Sequence, residues 1–514
     1  MSEASSAALN AKPKVTEVEQ FSVDTIPDAD RTSKPFDLFR IQFGGANTFA
    51  TVLLGTFPIF FGLSFWQALA ATILGLLVGT LFLMPMGIFG PRTGTNNAVS
   101  SGALLGVRGR VVGSFLSLLT AIAFYSISVW VSGDAIVGAL TRMFGIEKNP
   151  LISSLIYAVI GFIVIVVVVF GYQFMLLVNK VAVIFNSILM VLAVVAFWGV
   201  FDPNFAGSPD KLLLGDFWPT FILAALVVMS NPISFGAFLG DWSRYIPRDT
   251  PNSKLMLATL WAQLATLIPF IFGLATATLV TNSDYVVGLI NQSPLWYAIL
   301  LIIVAFIGGL STGTTSLYGT GLDFASVFPQ LSRVRATILI GSLAFLFILV
   351  GRLAFDLLGA VNAFIGAIVV TTTPWMIIMA IGYFVRRGYY DASDLQVFNK
   401  GQVGGKYWFS AGVNWRALGS WLIAATIGLC FAYYPPVIVG PWNALAGGVD
   451  LSLVSAITSA AVLYLASLFI WPEPDYVFGP KGPRLVPSRK GATPEVAHNP
   501  GSAAAKAAAA RANK

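Results

Sequence analysis

Along most of this chain apolar and polar residues do not alternate. Apolar stretches run on for the length of a bilayer crossing, and the few polar interruptions inside them carry the information. Stretches of spanning length, at about 20 residues each, lie near 40–63, 65–89, 111–141, 151–171, 174–200, 217–240, 254–281, 294–326, 334–358, 361–385, 414–434 and 449–471. They predict an all-α polytopic membrane protein of about 12 transmembrane helices. Halfway along the first stands Gly44-Gly45-Ala46-Asn47-Thr48, and halfway along the sixth Ser230-Asn231-Pro232-Ile233-Ser234-Phe235-Gly236. Lipid cannot bond freed peptide groups, so unwound backbone at that depth must line a protected cavity. Interruptions at corresponding places in two halves predict a five-plus-five inverted repeat with broken helices one and six.

The expected organisation is an N-terminal tail (1–36), a membrane domain (37–472) and a C-terminal tail (473–514). Within the membrane domain the repeats cover about 40–200 and 217–385, and peripheral helices cover about 414–471. The last tail, rich in Pro, Gly, Ala and Lys, is expected to be disordered. Residues 1–36 lack the short apolar core of a cleavable signal, so the first span targets the chain.

Composition agrees with the pattern. The 514 residues are 56% hydrophobic and 10% charged, against roughly 25% charged in soluble domains. The net charge of +7 comes from Lys and Arg scattered through loops and tail, which assigns it to topology rather than to nucleic acid. With twelve spans and the amino end inside, Arg92, Arg108, Lys180, Arg244, Arg386 and Lys406 share one side, while Arg142, Lys148 and Lys211 take the other. Both termini are therefore expected in the cytoplasm and the protein in the plasma (cell inner) membrane. Cys430 is the single cysteine and His498, in the tail, the single histidine. A Cys/His metal centre or histidine catalysis has no inward-facing ligands here. The chain reads as no enzyme and as needing no cofactor beyond a coupling ion.

Span eight concentrates hydroxyls: Gly308-Gly309-Leu310-Ser311-Thr312-Gly313-Thr314-Thr315-Ser316. Ser311 and Thr315 share one helical face, Thr312 and Ser316 the adjacent one. Such a stripe either bonds carbonyls one turn back and lets helices pack closely, or supplies neutral oxygens to an alkali cation. In span three Phe124 and Ser128 lie one turn apart, a flat apolar face beside a hydrogen-bonding group, which suits a planar heterocycle. Trp130 points elsewhere and reads as packing. Ionisable residues inside spans are costly and default to function. Asp134 and Asp323 are candidates for proton coupling, Arg352 and Asp356 for a mutual pair, and Asp241-Trp242-Ser243-Arg244-Tyr245 for a gate or charge network.

At these residues the chain resembles the nucleobase:cation symporter family 1, the purine, cytosine, allantoin and hydantoin permeases. Phe89-Gly90-Pro91-Arg92-Thr93-Gly94, Gly106-Val107-Arg108-Gly109, the Asp241–Tyr245 run, Ser311-Thr312, Pro374 and Tyr383-Phe384-Val385-Arg386-Arg387-Gly388 carry the resemblance in this order. It implies a leucine-transporter-like fold, alternating access and a substrate held between spans one, three, six and eight. It also implies a Na+ site at the Ser311 and Thr312 hydroxyls with carbonyls of Gly308, Gly44 and Asn47. The substrate positions depart from the hydantoin-type pattern: Phe124 and Ser128 stand for a Trp and an amide, Pro232 beside Asn231 for a second Trp, and Leu317 for an Asn. Hydantoin is thereby disfavoured.

The expectation is a secondary active symporter, driven by Na+ or H+, for a nucleobase or related heterocycle of the cytosine, purine, uracil or allantoin class. Phe124 stacks the ring; Asn47, Thr48, Ser128, Asn231, Ser234, Thr315 and Ser316 bond its edge. Gly44, Asn47, Gly308, Ser311 and Thr312 hold the cation. The alternative is an amino-acid or thiamine-like vitamin carrier of the same fold. The partners are the small-molecule substrate, the cation and the bilayer. The sequence is silent on oligomeric state.

Overall fold

The structure, a computed structural model, describes residues 23–147, 149–280, 285–328, 331–354, 357–434 and 438–498. Asp356 and Lys148 lie outside the described residues, as does the side chain of Arg352, and the expected Arg352–Asp356 pair with them. Helix occupies each expected span. Among the described residues nine helices are long and apolar enough to cross a membrane, or ten when the bent pair Pro35–Ala46 and Phe49–Phe60 counts as one. Arg333–Ala354 and the shorter apolar Trp415–Phe431 fill the ninth and eleventh positions.

Span one breaks where its glycines, Asn47 and Thr48 predict. Its halves meet at 61°, with Asn47 (φ −80°, ψ 65°) closing the first and extended Thr48 (φ −145°, ψ 168°) opening the second. Span six corrects the sequence reading. Its main helix, Phe217–Phe235, continues through Pro232, and the interruption falls after it, at residues 236–238, before the short helix Leu239–Ser243. Proline removes one amide donor, and the neighbouring hydroxyls bond within the same helix: Ser230 Oγ donates to Val227 O (2.6 Å) and Ser234 Oγ to Asn231 O (2.5 Å). The helix yields only at Gly236, whose N–H tightens onto Ile233 O at 2.9 Å.

The packing shows the inverted repeat more plainly than the sequence does. The second half of span one lies on Leu267–Ala277 of span seven, and span six lies on Phe65–Leu83 of span two. Exchanging the two five-span units maps one contact onto the other. Both are backbone-close. A methyl group on Gly55 would overlap the Phe270 carbonyl, and one on Gly273 the Val52 carbonyl; Gly75 likewise faces the Ala225 carbonyl. Small residues permit this approach in lipid, where no hydrophobic force drives helices together. Spans three (Val111–Phe144) and eight (Leu295–Val327), equivalent under the same exchange, form the most extensive helix pair. Span five (Tyr172–Phe197) contacts the first half of span one, and span ten (Leu357–Val385) contacts span six. Trp415–Phe431 and Ser452–Ile470 pack on each other and on span ten, as peripheral helices would.

The C-terminal expectation is corrected for residues 473–498. Buried Glu473 accepts from Arg386 Nη2 at 2.9 Å and from Asn414 Nδ2 at 2.7 Å. Glu473–Pro474 pairs in parallel with Ser488–Arg489, and Ala497–His498 pairs antiparallel with Gln402–Val403. A low-hydrophobicity segment that could not fold alone is held by one buried charge and by loop backbone. The N-terminal segment seals the same face: Ile26 N donates to Gly94 O (2.9 Å) and Gln396 Nε2 to Val23 O (3.0 Å). The described segments nearest the two ends, from residue 23 and up to residue 498, therefore lie on one side.

Candidate substrate and cation site

A helix leaves its last carbonyls without intrahelical donors, and the break in span one does so in the middle of the protein. Two neighbouring helices, spans eight and five, supply what is missing. Ser311 Oγ of span eight donates to Gly44 O at 2.7 Å, and Thr312 Oγ1 donates to Gly45 O at 2.7 Å while lying 3.0 Å from Thr48 Oγ1. Asn186 Nδ2 of span five donates to Asn47 O at 2.8 Å. Ser311 Oγ also lies 2.8 Å from Asn179 Oδ1 on the same helix as Asn186. Glycine at 44 and 45 is what admits these groups, since a methyl at either would stand 2.8 Å from Asn179 Oδ1 or 3.1 Å from Thr315 Oγ1. The result is a buried ring of neutral oxygens around an unwound turn.

Of the residues expected at a cation, Gly44, Ser311 and Thr312 are in direct contact, and Gly308 lies against Thr48, a methyl there being 3.3 Å from Thr48 Cβ. Asn47 stands apart. Its carbonyl is taken by Asn186, its Nδ2 is 3.5 Å from Ser187 Oγ, and the carbonyl beside Thr312 is that of Gly45.

The expected substrate residues divide by helix. Phe124 and Ser128 are buried on span three, and Ser128 Oγ donates to Gly309 O at 3.1 Å, which fastens this face to the glycine pair of span eight. Thr315 Oγ1 lies 3.0 Å from the carbonyls of Ser311 and Thr312, and Ser234 bonds its own helix, so both hydroxyls spend their protons locally. Thr315 thus bonds its own helix one turn back, whereas Ser311 and Thr312 reach across to span one. Ser316 is buried, and its carbonyl accepts from Thr320 Oγ1 at 3.0 Å. Asn231 is buried with no hydrogen-bond partner for Oδ1. Its span packs on the second half of span one, and among the described residues no hydrogen bond joins Asn231 to the span-eight hydroxyls.

The buried carboxylates are engaged elsewhere. Asp134 accepts from Trp130 Nε1 at 3.0 Å and Tyr157 OH at 2.6 Å, which gives Trp130 a structural partner. Asp323 accepts from Asn96 Nδ2 at 3.3 Å. Asp241 Oδ2 lies against Gly319, one turn before Asp323, so the two acids share a cluster at the terminus-bearing end. There Arg244 Nη2 donates to Tyr318 OH at 3.1 Å. Tyr245 stacks on Tyr172 at 4.0 Å and 13°, and Tyr172 OH lies 3.0 Å from Ser33 Oγ.

Asn179 and Asn186 are the residues that sequence reasoning missed. Two amides seven apart share one helical face, a signal blurred by the polar neighbours Lys180 and Ser187.

The same architecture occurs in solved transporters. Mhp1, described as a nucleobase-cation-symport-1 family transporter in a closed conformation with bromovinylhydantoin bound, superposes with a TM-score of 0.70 at 19% identity over 87% of this chain and 94% of that one. A Na+-coupled sialic acid symporter gives 0.55 at 15% identity over 87% and 93%. In sequence the chain is 25% identical over 466 residues to a candidate purine-cytosine permease, YxlA, of Bacillus subtilis (strain 168), covering 87% of this chain and 95% of that protein. It is 26% identical over 445 residues to the cytosine permease of Escherichia coli (strain K12), covering 83% and 92%. Residues 25–453 match the family described as permease for cytosine/purines, uracil, thiamine, allantoin. Broken helix, oxygen ring and sequence agree: this chain is a non-enzymatic membrane transporter and belongs to that permease family.

Proposed function

We propose that the protein is a secondary active symporter that imports an uncharged planar heterocycle of the cytosine, purine, uracil or allantoin class together with Na+, by alternating access in the plasma membrane with both termini cytoplasmic. The observation that carries the reading is the pair of span-eight hydroxyls on the freed carbonyls of Gly44 and Gly45. Neutral hard oxygens suit an alkali cation, whereas proton coupling needs a titratable group at the break. Asp134, the acid of span three, is occupied by Trp130 and Tyr157. That same engagement speaks against thiamine, whose positive charge wants a free carboxylate. Phe124 would stack the ring. Ser128, Thr48 and Asn231 Oδ1 would read its edge, with Asn47, Ser234, Thr315 and Ser316 offering acceptors. A cation that draws spans one and eight together favours one arrangement of the broken helix, and coupling follows from that difference in affinity.

The test is uptake of labelled cytosine, adenine, hypoxanthine, uracil and allantoin into proteoliposomes under an imposed Na+ or H+ gradient. One of these solutes should accumulate with inward Na+, and Ser311→Ala should abolish the sodium stimulation. Transport of an amino acid with none of the bases would overturn the substrate class; accumulation driven by the proton gradient alone would overturn the ion.

A further inference from the structure

The Ser311 hydroxyl has one proton and two neighbours that can only accept it. Gly44 O lies at 2.7 Å and Asn179 Oδ1 at 2.8 Å. The orientation of the amide is fixed independently, because Asn179 Nδ2 donates to Met175 O at 3.0 Å, one turn back on span five. Three oxygens thus converge on one hydroxyl hydrogen, and one close oxygen pair is left without a proton between its members. Buried acceptors crowded in this way are unfavourable unless a positive charge is shared among them. Glycine at 44 keeps the amide in place, since a side chain there would stand 2.8 Å from Asn179 Oδ1. Asn179 itself is fully buried.

From this we infer that Asn179 Oδ1 is a ligand of the coupling cation, so that span five joins spans one and eight in holding it. The assignment rests on the cation reading above and extends it to a third helix. It has a mechanical consequence. Asn186, two turns further along the same face, bonds the Asn47 carbonyl, so span five grips the break at one fixed point and at one that depends on the ion. With the cation bound, the first half of span one and span five move together; without it, the tie through Asn179 is lost while the Asn186 contact remains.

The experiment compares wild type, Asn179→Ala and Asn179→Asp in the full-length purified chain. Sodium- and lithium-dependent thermal stabilisation is measured without substrate, and substrate binding is measured at saturating Na+. Asn179→Ala should raise the half-saturating Na+ concentration at least tenfold while leaving substrate affinity at saturating Na+ within about twofold. Asn179→Asp, which keeps an oxygen at the same reach, should restore sodium affinity and make it dependent on pH. Equal sodium response in wild type and Asn179→Ala, with both folded, would overturn the assignment and leave the cation reading standing. A wild type indifferent to both ions would overturn the cation reading and this assignment with it. Loss of substrate affinity in Asn179→Ala even at saturating Na+, with no change in the sodium midpoint, would assign the residue to packing instead.

Discussion

Single side chains here are decided by where their protons go. Tyr157 OH and Trp130 Nε1 both donate to Asp134, and a buried charge so held is structural. Tyr157→Phe should lower stability by about 1–3 kcal/mol by leaving one carboxylate oxygen unmatched, read as a lower melting temperature, with the sodium dependence of uptake unchanged. A shift in that sodium dependence would return Asp134 to the coupling machinery. The residues legible from sequence were those with a local signature: the glycine pair of span one, the adjacent hydroxyls Ser311 and Thr312, the Phe124/Ser128 pair. Asn179 and Asn186 were not, because their shared face does not say what it meets: the partners are 132 and 139 positions away, and such distances are set only by the fold.

Between elements, backbone proximity does the holding. Gly55 and Gly273 join span one to span seven, and Gly75 joins span two to span six. Gly55→Ala and Gly75→Ala should each cost about 1–3 kcal/mol by overpacking. Gly419→Ala, where nothing lies within 4 Å of the added methyl, should cost little and serves as the control in the same melting assay. The span positions followed from hydropathy because lipid imposes them on each segment separately. The glycine contacts did not, since a small residue looks alike whether it faces lipid or another backbone. The break in span six was misplaced for a related reason. Proline marks a missing donor, but one lost bond does not by itself end a helix, and the chain unwinds only at residues 236–238, where Gly236 ends the regular turns.

At the scale of the molecule, one face is a layered seal of the segment from residue 23, the loop after span ten and the segment 473–498. Glu473 is the pin. Replacing it with Ala leaves Arg386 buried without its countercharge, at a cost of about 3–5 kcal/mol, and purified Glu473→Ala should melt well below wild type. Melting at the wild-type temperature would show the tail to be dispensable. Composition could not reveal this role, because a Pro- and Gly-rich segment owes its order to the surface it lands on.

The two halves are alike in course but not in chemistry. Where span five offers amides to the break of span one, span ten offers Met376 to the break of span six, a methyl at Gly236 being 2.5 Å from its Sδ. A thioether beside the second break is a poor host for an alkali ion. On the proposed reading one ion accompanies each uncharged solute, so every turnover carries a single net charge inward. A membrane potential supplies about 2.3 kcal/mol per charge for each 100 mV, enough to concentrate the cargo roughly fiftyfold before any contribution from the salt gradient. Reversal-potential measurements should therefore give a ratio of one, and a ratio of two would require a second ion away from the thioether-lined break of span six.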